Sequence, residues 1–520
     1  MQTSRRTFMG IAASASYLAL MHQSSADDNR PHLTIAVQDV RTNLEPIDSN
    51  SLANVAWRVQ YSVFDQPLRT DFKRNFQINY ALATSLQRLD DVTYQAQLRK
   101  GVKFHDGREM TADDVAFSLG EERLLGDKAP GAAVRDLFQS SLKGVTAIDR
   151  YTVKFSLKAP DPIFLQRLGS WGAQVISADA WRKAGAYDKW SQRPVGTGPY
   201  RIGETRADDL VTLVAHDDYW GGRPPYASIR FKKVSELAAR VAGLQAGDYD
   251  IVTDVTPDHI AEIKADSKLK PVTADSVWFR ILDFCPRNCA PLADVKVRQA
   301  MALSIDRKAL VDSLWAGQAS IPQSWQLPMF GDLNDPSRAG PVFDPDKAKA
   351  LLAKSQYRGE EIPFPTVGNY YPLQMTEDQA LVEMWKAVGL NVKLVNCENW
   401  DQVAKIPGVQ DDSSGAFYAD PVGYLWATLA PSNWLQADLK GWQNDEFNDL
   451  GVKLGSVLDK AERKKMFQRM MDIVDTDDPP ATIMHSMPFI YGMKAEINWT
   501  PNPVPHMDLG PKLAAEPVNV

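Results

Sequence analysis

Between residues 363 and 395 the apolar periodicity of the chain switches twice. A strand-like run from Pro363 to Val367 gives way to a helical pattern from about Thr376 to Val388. Gly389 stops that pattern, and Asn391 to Val395 reads as a strand again. Such a unit hides its apolar faces only when its strands lie together under the crossing helix, which commits this region to an α/β layer. The same alternation recurs elsewhere. Residues 33–37 and 93–98 read as strands, 52–64 as a helix, and 151–157 as a half-buried strand. Thr111 caps a helix with Asp113 and Asp114 in its first turn, Gly247 closes one through Leu237, Val241 and Leu244, and Asp294 and Asp344 cap two more.

A chain of 520 residues has room for three or four domain-sized pieces. Apolar residues at 44% and charged ones at 24% are globular values, which excludes wholesale disorder. The net charge of -7 comes without any Lys/Arg-rich run, so nucleic acid is not an expected partner and a membrane-surface role is disfavoured. Three cysteines are too few for a disulfide scaffold or a zinc cluster, and the seven histidines are scattered, so no metal site and no cofactor are expected.

Arg5 and Arg6, followed by Phe8, stand directly before an apolar run of eleven residues, 11–21, too short to span a bilayer. Ser24 and Ala26 supply small residues at alternate positions. The segment 1–26 reads as a cleaved signal peptide, and the paired arginines resemble a twin-arginine export signal. The mature chain is therefore expected to be soluble in the periplasm. In that oxidising compartment Cys285 and Cys289 are expected to form a disulfide across a short turn, leaving Cys397 as a free thiol.

Two motifs invite chemistry and do not support it. Gly196, Gly198 and Gly203 suggest a phosphate loop, yet Pro199 interrupts them and a strand-like segment follows where a helix is required. His105, Asp106 and Gly107 look like part of a catalytic group, but a turn feeding the helix capped by Thr111 accounts for them.

Several segments taken together resemble the extracellular solute-binding proteins of family 5, the dipeptide, oligopeptide and nickel-type receptors of ABC importers. They are LRKGVKFHDGREMTADDVAFS at 98–118, GTGPY at 196–200, YWGGRP at 219–224 and LQAGDYD at 244–250. PLADVKVRQAMALSIDR at 291–307, FDPDKAKALL at 343–352 and MHS at 484–486 follow in order. The resemblance implies a two-lobed periplasmic binding protein fold of α/β class (type II, the large cluster C form with an extra subdomain), its ligand cleft between the lobes. By analogy the first lobe comprises 27–60, 194–277 and 487–520 and carries the extra subdomain at 61–193, while 278–486 forms the second lobe.

The resemblance also directs attention to cleft residues. Peptide-binding members hold the ligand's amino terminus with a carboxylate three residues before an acid-Pro pair. Here the pair is Asp420-Pro421 and that position is Phe417, so the anchor is missing unless a one-turn shift of the pair lets Asp411 or Asp412 reach the amine. Asp420 reads as a helix cap with its oxygens engaged. Ser413 and Ser414 occupy ligand-facing positions by analogy, although a surface turn after Asp411-Asp412 explains them equally well. Trp278 and Arg280 share one face of a strand by period two, fitting an aromatic platform beside a carboxylate-binding fork. Asp48 and Asn50 lie near contacting positions of the oligopeptide binders, and Trp400, Tyr418 and Trp426 are further aromatic candidates.

The implied function is that of a monomeric periplasmic substrate-binding component of an ABC importer, closing on a peptide or similarly sized polar organic solute and passing it to the permease. The alternatives are a receptor for an opine-like conjugate, an oligosaccharide or a metal chelate, and more remotely a secreted hydrolase. The last lacks Gly-x-Ser-x-Gly and His-Glu-x-x-His motifs. With Phe417 in place of the anchor, an anionic solute with an aromatic or sugar-like face is expected to suit Trp278 and Arg280 better than a free-amine dipeptide.

Overall fold

Strand His32–Val37 packs apolar side chains on both of its faces and lies in the middle of a seven-stranded sheet. Its neighbours Ser228–Lys233 and Ile251–Val252 run parallel to it, and the outer pairs are antiparallel. Across the sheet the order is Leu269–Ala274, Phe489–Lys494, Ile251–Val252, His32–Val37, Ser228–Lys233, Leu210–Ala215 and Tyr200–Arg206. Strands from three separate stretches of sequence thus share one sheet. The computed structural model describes residues 28–47, 54–131, 135, 140–368 and 370–518. The proposed signal peptide and its arginine pair, Asp48 and Asn50 all lie outside the described residues.

A four-stranded antiparallel sheet, Ala83–Asp90, Thr93–Leu98, Thr152–Leu157 and Leu142–Asp149, covers a separate apolar core with helix Ala112–Ser118. That helix starts where the sequence indicates: the Thr111 amide donates to Asp114 Oδ2 at 2.9 Å, and Arg108 pairs with Asp114. The helix anticipated at 52–64 is described from Asn54 and ends at Gln60, four residues early. The chain turns after it because Gly198 N and Tyr200 N donate to the Val63 and Ser62 carbonyls, each at 3.0 Å. The glycines of that loop serve close packing: a Cβ on Gly198 would lie 2.5 Å from the Val63 carbonyl carbon. His105 braces the same loop, its Nε2 lying 3.0 Å from the Gly198 carbonyl oxygen.

After Ala274 the chain leaves the large sheet and enters a three-stranded antiparallel sheet, Val409–Gly415, Trp278–Phe284 and Ala481–Ser486; it returns between Ser486 and Phe489. The two crossings are tied together by Met487 N donating to the Trp278 carbonyl at 2.7 Å and Ser486 Oγ donating to Asp275 Oδ1 at 2.9 Å. The strand–helix–strand unit appears as Ile362–Thr366, helix Gln374–Ala387 and Val392–Asn396, its strands parallel. Asp294 and Asp344 cap their helices as the sequence indicates, accepting from Lys296 N and Lys347 N. Two sheets joined by two crossings match the two-lobed arrangement that the resemblance implies.

The expected Cys285–Cys289 bridge is absent; both are free, buried thiols, as is Cys397. One turn of backbone joins the pair, with Cys289 N donating to the Cys285 carbonyl at 3.0 Å, but the side chains belong to different apolar clusters. Cys285 packs with Leu435 and Trp442, and Cys289 with Leu292 and Val297. Thiol titration of the denatured, unreduced protein is expected to find three thiols, and a single one would restore the bridge.

Candidate ligand-binding cleft

Between the seven-stranded and three-stranded sheets lies a cavity of about 960 Å³. One side is built from Gln38, Trp57, Glu236 and Asp254, the other from Asp283, Asp412, Ser413 and Trp434. Residues of the crossings, Trp278, Met487 and Phe489, close its floor.

Aromatic side chains dominate the hinge end. The Trp278 ring stands edge-on to Trp57 and to Phe417, with centroids 5.4 Å and 5.3 Å away. Trp57, from helix Asn54–Gln60, also meets Trp171 at 5.6 Å and stacks on His506. This cluster joins parts of the chain on both sides of the cavity. Gly415, opposite Trp278 in the ladder, leaves room for the indole: a Cβ there would lie 2.1 Å from the ring.

Arg280 borders the cavity, but its charge is met inside the protein. Its guanidinium pairs with Asp411 and lies 4.0 Å above the Tyr371 ring, while Nε and Nη1 make no hydrogen bond among the described residues. Asp411 also accepts from Gln374 Nε2 at 2.8 Å. Behind them Glu377 faces His485, Oε1 to Nε2 at 2.8 Å, and the other imidazole nitrogen lies 2.7 Å from the Ser486 carbonyl oxygen. His485 is thus a satisfied core histidine. Burial pushes the Asp411 carboxyl well up, with Arg280 opposing it and Asp378 and Glu377 adding to it. Asp378 is raised to about 6, chiefly by burial. For Glu377, burial is outweighed by His485 and then Arg280, leaving its carboxyl below the ordinary value. A ligand carboxylate at Arg280 would therefore compete with Asp411.

Ser413 and Ser414 are not in a surface turn. They belong to strand Val409–Gly415, whose residues pair with Trp278–Phe284 along its length. Ser413 Oγ accepts from the Tyr371 hydroxyl at 3.0 Å, and Ser414 shares a hydrogen bond with Thr428; both line the cavity. Phe417 lines it too, at the hinge end. Asp420 is the cap that the sequence suggests, accepting from Val422 N at 2.9 Å and receiving Arg463 at 2.8 Å on each oxygen. It heads a single 3₁₀ turn, Pro421–Gly423, before helix Leu425–Leu429.

Three of the anticipated aromatics do not form the cavity wall. Trp400 stands behind it, 5.1 Å from the Tyr370 ring. Tyr418 is buried beneath Arg167, and Trp426 packs on Phe447 and against Gly451. Their apolar faces are spent on packing between elements. Residues that sequence reasoning missed are Trp57, Trp315, Tyr371 and Trp434 on the wall and Asp283 at its far end, beside the Asp412 that it names as a possible partner of a ligand amine. Only Asp412 carried a visible signal. Adjacent acids inside the strand segment Val409–Gly415 place one carboxylate on each face of a buried sheet.

The matching family model, described as bacterial extracellular solute-binding proteins, family 5 middle, spans residues 77–436. The chain belongs to this family. It is 31% identical over 450 residues to heme-binding protein A of Haemophilus influenzae, covering 81% of each chain. It is 26% identical to the dipeptide-binding protein of Escherichia coli, covering 77% of this chain and 79% of that one. Among solved structures, the dipeptide binding protein from Pseudoalteromonas sp. SM9913 in complex with Met-Leu matches with a TM-score of 0.80. That match has 20% identity and covers 92% of this chain and 99% of the other.

Proposed function

We propose that the chain is the exported substrate-binding component of an ABC importer, closing its two lobes on a peptide or similarly sized polar organic solute and delivering it to the permease. The observation that carries this reading is the cavity of about 960 Å³ walled by residues from both sheets and floored by the two crossings. A solute touching both walls favours the closed form by its differential affinity. Lobe I is taken as 27–60, 194–277 and 487–520 with the subdomain 61–193, and lobe II as 278–486. This division is supported by the way the strands distribute between the sheets. The protein acts as a monomeric carrier and not as an enzyme, in keeping with the binding proteins among its relatives.

At about a hundredfold excess over its dissociation constant a cognate solute is expected to stabilise the protein by about 2.7 kcal/mol. Small-angle scattering during titration with a peptide digest should show compaction; an unchanged radius at saturation counts against capture by closure. The aromatic wall of Trp57, Trp278, Tyr371 and Trp434 favours a second reading, a flat non-peptide solute, and heme-binding protein A among the relatives adds to it. Hemin in the same titration separates the two.

Export follows the twin-arginine route in this reading, supported by Arg5-Arg6 directly before the apolar run. Replacing both with lysine is expected to abolish periplasmic accumulation, and normal accumulation of the double variant would point to an ordinary secretory signal.

A further inference from the structure

We propose that Asp283 and Asp412 receive a cationic group of the captured solute, an ammonium or guanidinium, at the end of the cavity remote from Trp278 and Phe417. The inference rests on the solute-capture reading above and specifies the chemistry of what is captured.

The charges along the wall carry the argument. Asp254 pairs with Arg58 at 2.5 Å, Asp39 with Lys233 at 2.9 Å, and Arg280 with Asp411. Asp283 and Asp412 make no ion pair among the described residues, although Arg280 opposes the upward shift of Asp412 and Arg41, paired with Asp39 at 3.7 Å, also borders the cavity. Asp283 is 2% exposed and its Oδ1 makes no hydrogen bond, yet it borders the cavity. In the ladder Asp283 stands opposite Gln410, and Asp412 opposite Ile281. The two acids therefore lie diagonally on one face of the strand pair, about 7–8 Å apart at the backbone, and Asp412 is near enough to add to the upward shift of Asp283. Asp412 Oδ1 takes only its neighbour Ser413 N at 2.7 Å and a long contact of 3.5 Å from the Tyr371 hydroxyl.

Two such carboxylates repel each other when both are charged, and each is poorly solvated there. Burial, reinforced by Asp412, pushes the Asp283 carboxyl well above the ordinary range. A protonated acid would relieve this without a ligand, but it would leave an acceptor oxygen unused at a cavity wall. A ligand cation relieves both at once: it neutralises the pair and supplies N–H donors to the idle oxygens. The indole of Trp434, donating to Gln410 Oε1 at 3.3 Å, lines the same cavity and offers a face to a planar cation. Five residues of extended strand separate Trp278 from Asp283, about 17 Å at ~3.4 Å per residue. The cation is therefore carried at the far end of an elongated solute or on a side chain, away from the Trp278–Phe417 cluster.

The test uses the mature full-length protein. It is incubated with a chymotryptic casein digest, which contains peptides with and without Lys or Arg, and the retained peptides are identified by mass spectrometry. Calorimetry then compares N-acetyl-Ala-Ala-Arg with its citrulline counterpart, which carries no cationic group, and agmatine as a cation alone. Enrichment of Lys- and Arg-bearing peptides is expected, with a preference for arginine over citrulline of about 10- to 100-fold. Asp283→Asn and Asp412→Asn should each shrink that preference while keeping the wild-type circular dichroism. Equal binding of the arginine and citrulline peptides, or an undiminished preference in both variants, overturns the proposal. So does failure to bind any cationic probe. Compaction on the digest without any cation preference would sink the cation site alone, whereas no compaction on any solute would sink the capture reading itself.

Discussion

Replacing Arg280 with methionine is expected to destabilise the protein by about 3 kcal/mol near neutral pH, toward the lower end of the range for breaking a buried ion pair. Arg280 is fully enclosed and faces Asp411, and the electrostatic neighbours of its guanidinium include Glu377 and Asp378. Removing the guanidinium leaves Asp411 and Asp378 without their principal cation. They can escape by taking up protons, which keeps the loss from being larger and gives it a pH signature. A carboxyl whose folded pKa lies above its unfolded value contributes stability that is complete below about pH 4 and lost as pH rises through the folded value. Asp378 already titrates at about 6 with Arg280 present, and Asp411 is raised well above its ordinary value. Without Arg280 both shift further upward, so the deficit should widen from acid toward neutral pH. Chemical denaturation across that window measures it. A deficit independent of pH would mean that lost packing on Tyr371, and not lost charge, is responsible.

Trp57→Ala is expected to cost about 3–5 kcal/mol, the range for deleting a large buried aromatic. Trp57 is 3% exposed and touches Trp171, Trp278, Phe417 and His506, so truncation opens a hole that no single neighbour can fill. Because Trp278 and Phe417 lose the ring they stand against, solute affinity should fall together with stability. Trp426→Ala is the comparison: its indole packs on Phe447 and Gly451, so it should lower the melting temperature and leave affinity at fixed temperature unchanged. A Trp57→Ala protein as stable as wild type would show that the hinge cluster relaxes to fill the space.

Much of the local structure was legible in the chain because its causes are local. Apolar periodicity marked the unit Ile362–Thr366, Gln374–Ala387 and Val392–Asn396, and side-chain oxygens marked the starts at Asp294, Asp344 and Asp420. Ser413 and Ser414 suit a turn by sequence because polar residues dominate that segment. A central strand partner, Trp278–Phe284, made it a strand instead. The cysteine pair differs for the opposite reason: closeness in sequence suggests a bond, and the two free thiols are seated in separate apolar clusters.

By itself the sequence determined the family, the α/β layering and the shared face of Trp278 and Arg280, all set by short-range patterns and motif order. Only the tertiary structure decided what those residues do. Arg280 is answered by Asp411, 131 positions away, through the register of two antiparallel strands. The cavity wall draws Trp57, Tyr371, Asp283 and Trp434 from distant segments. Periodicity fixes which way a side chain points on its own strand or helix, but which charge or ring it meets depends on how far the partner element slides before packing stops it. That distance is set by the whole core and by no one stretch of chain.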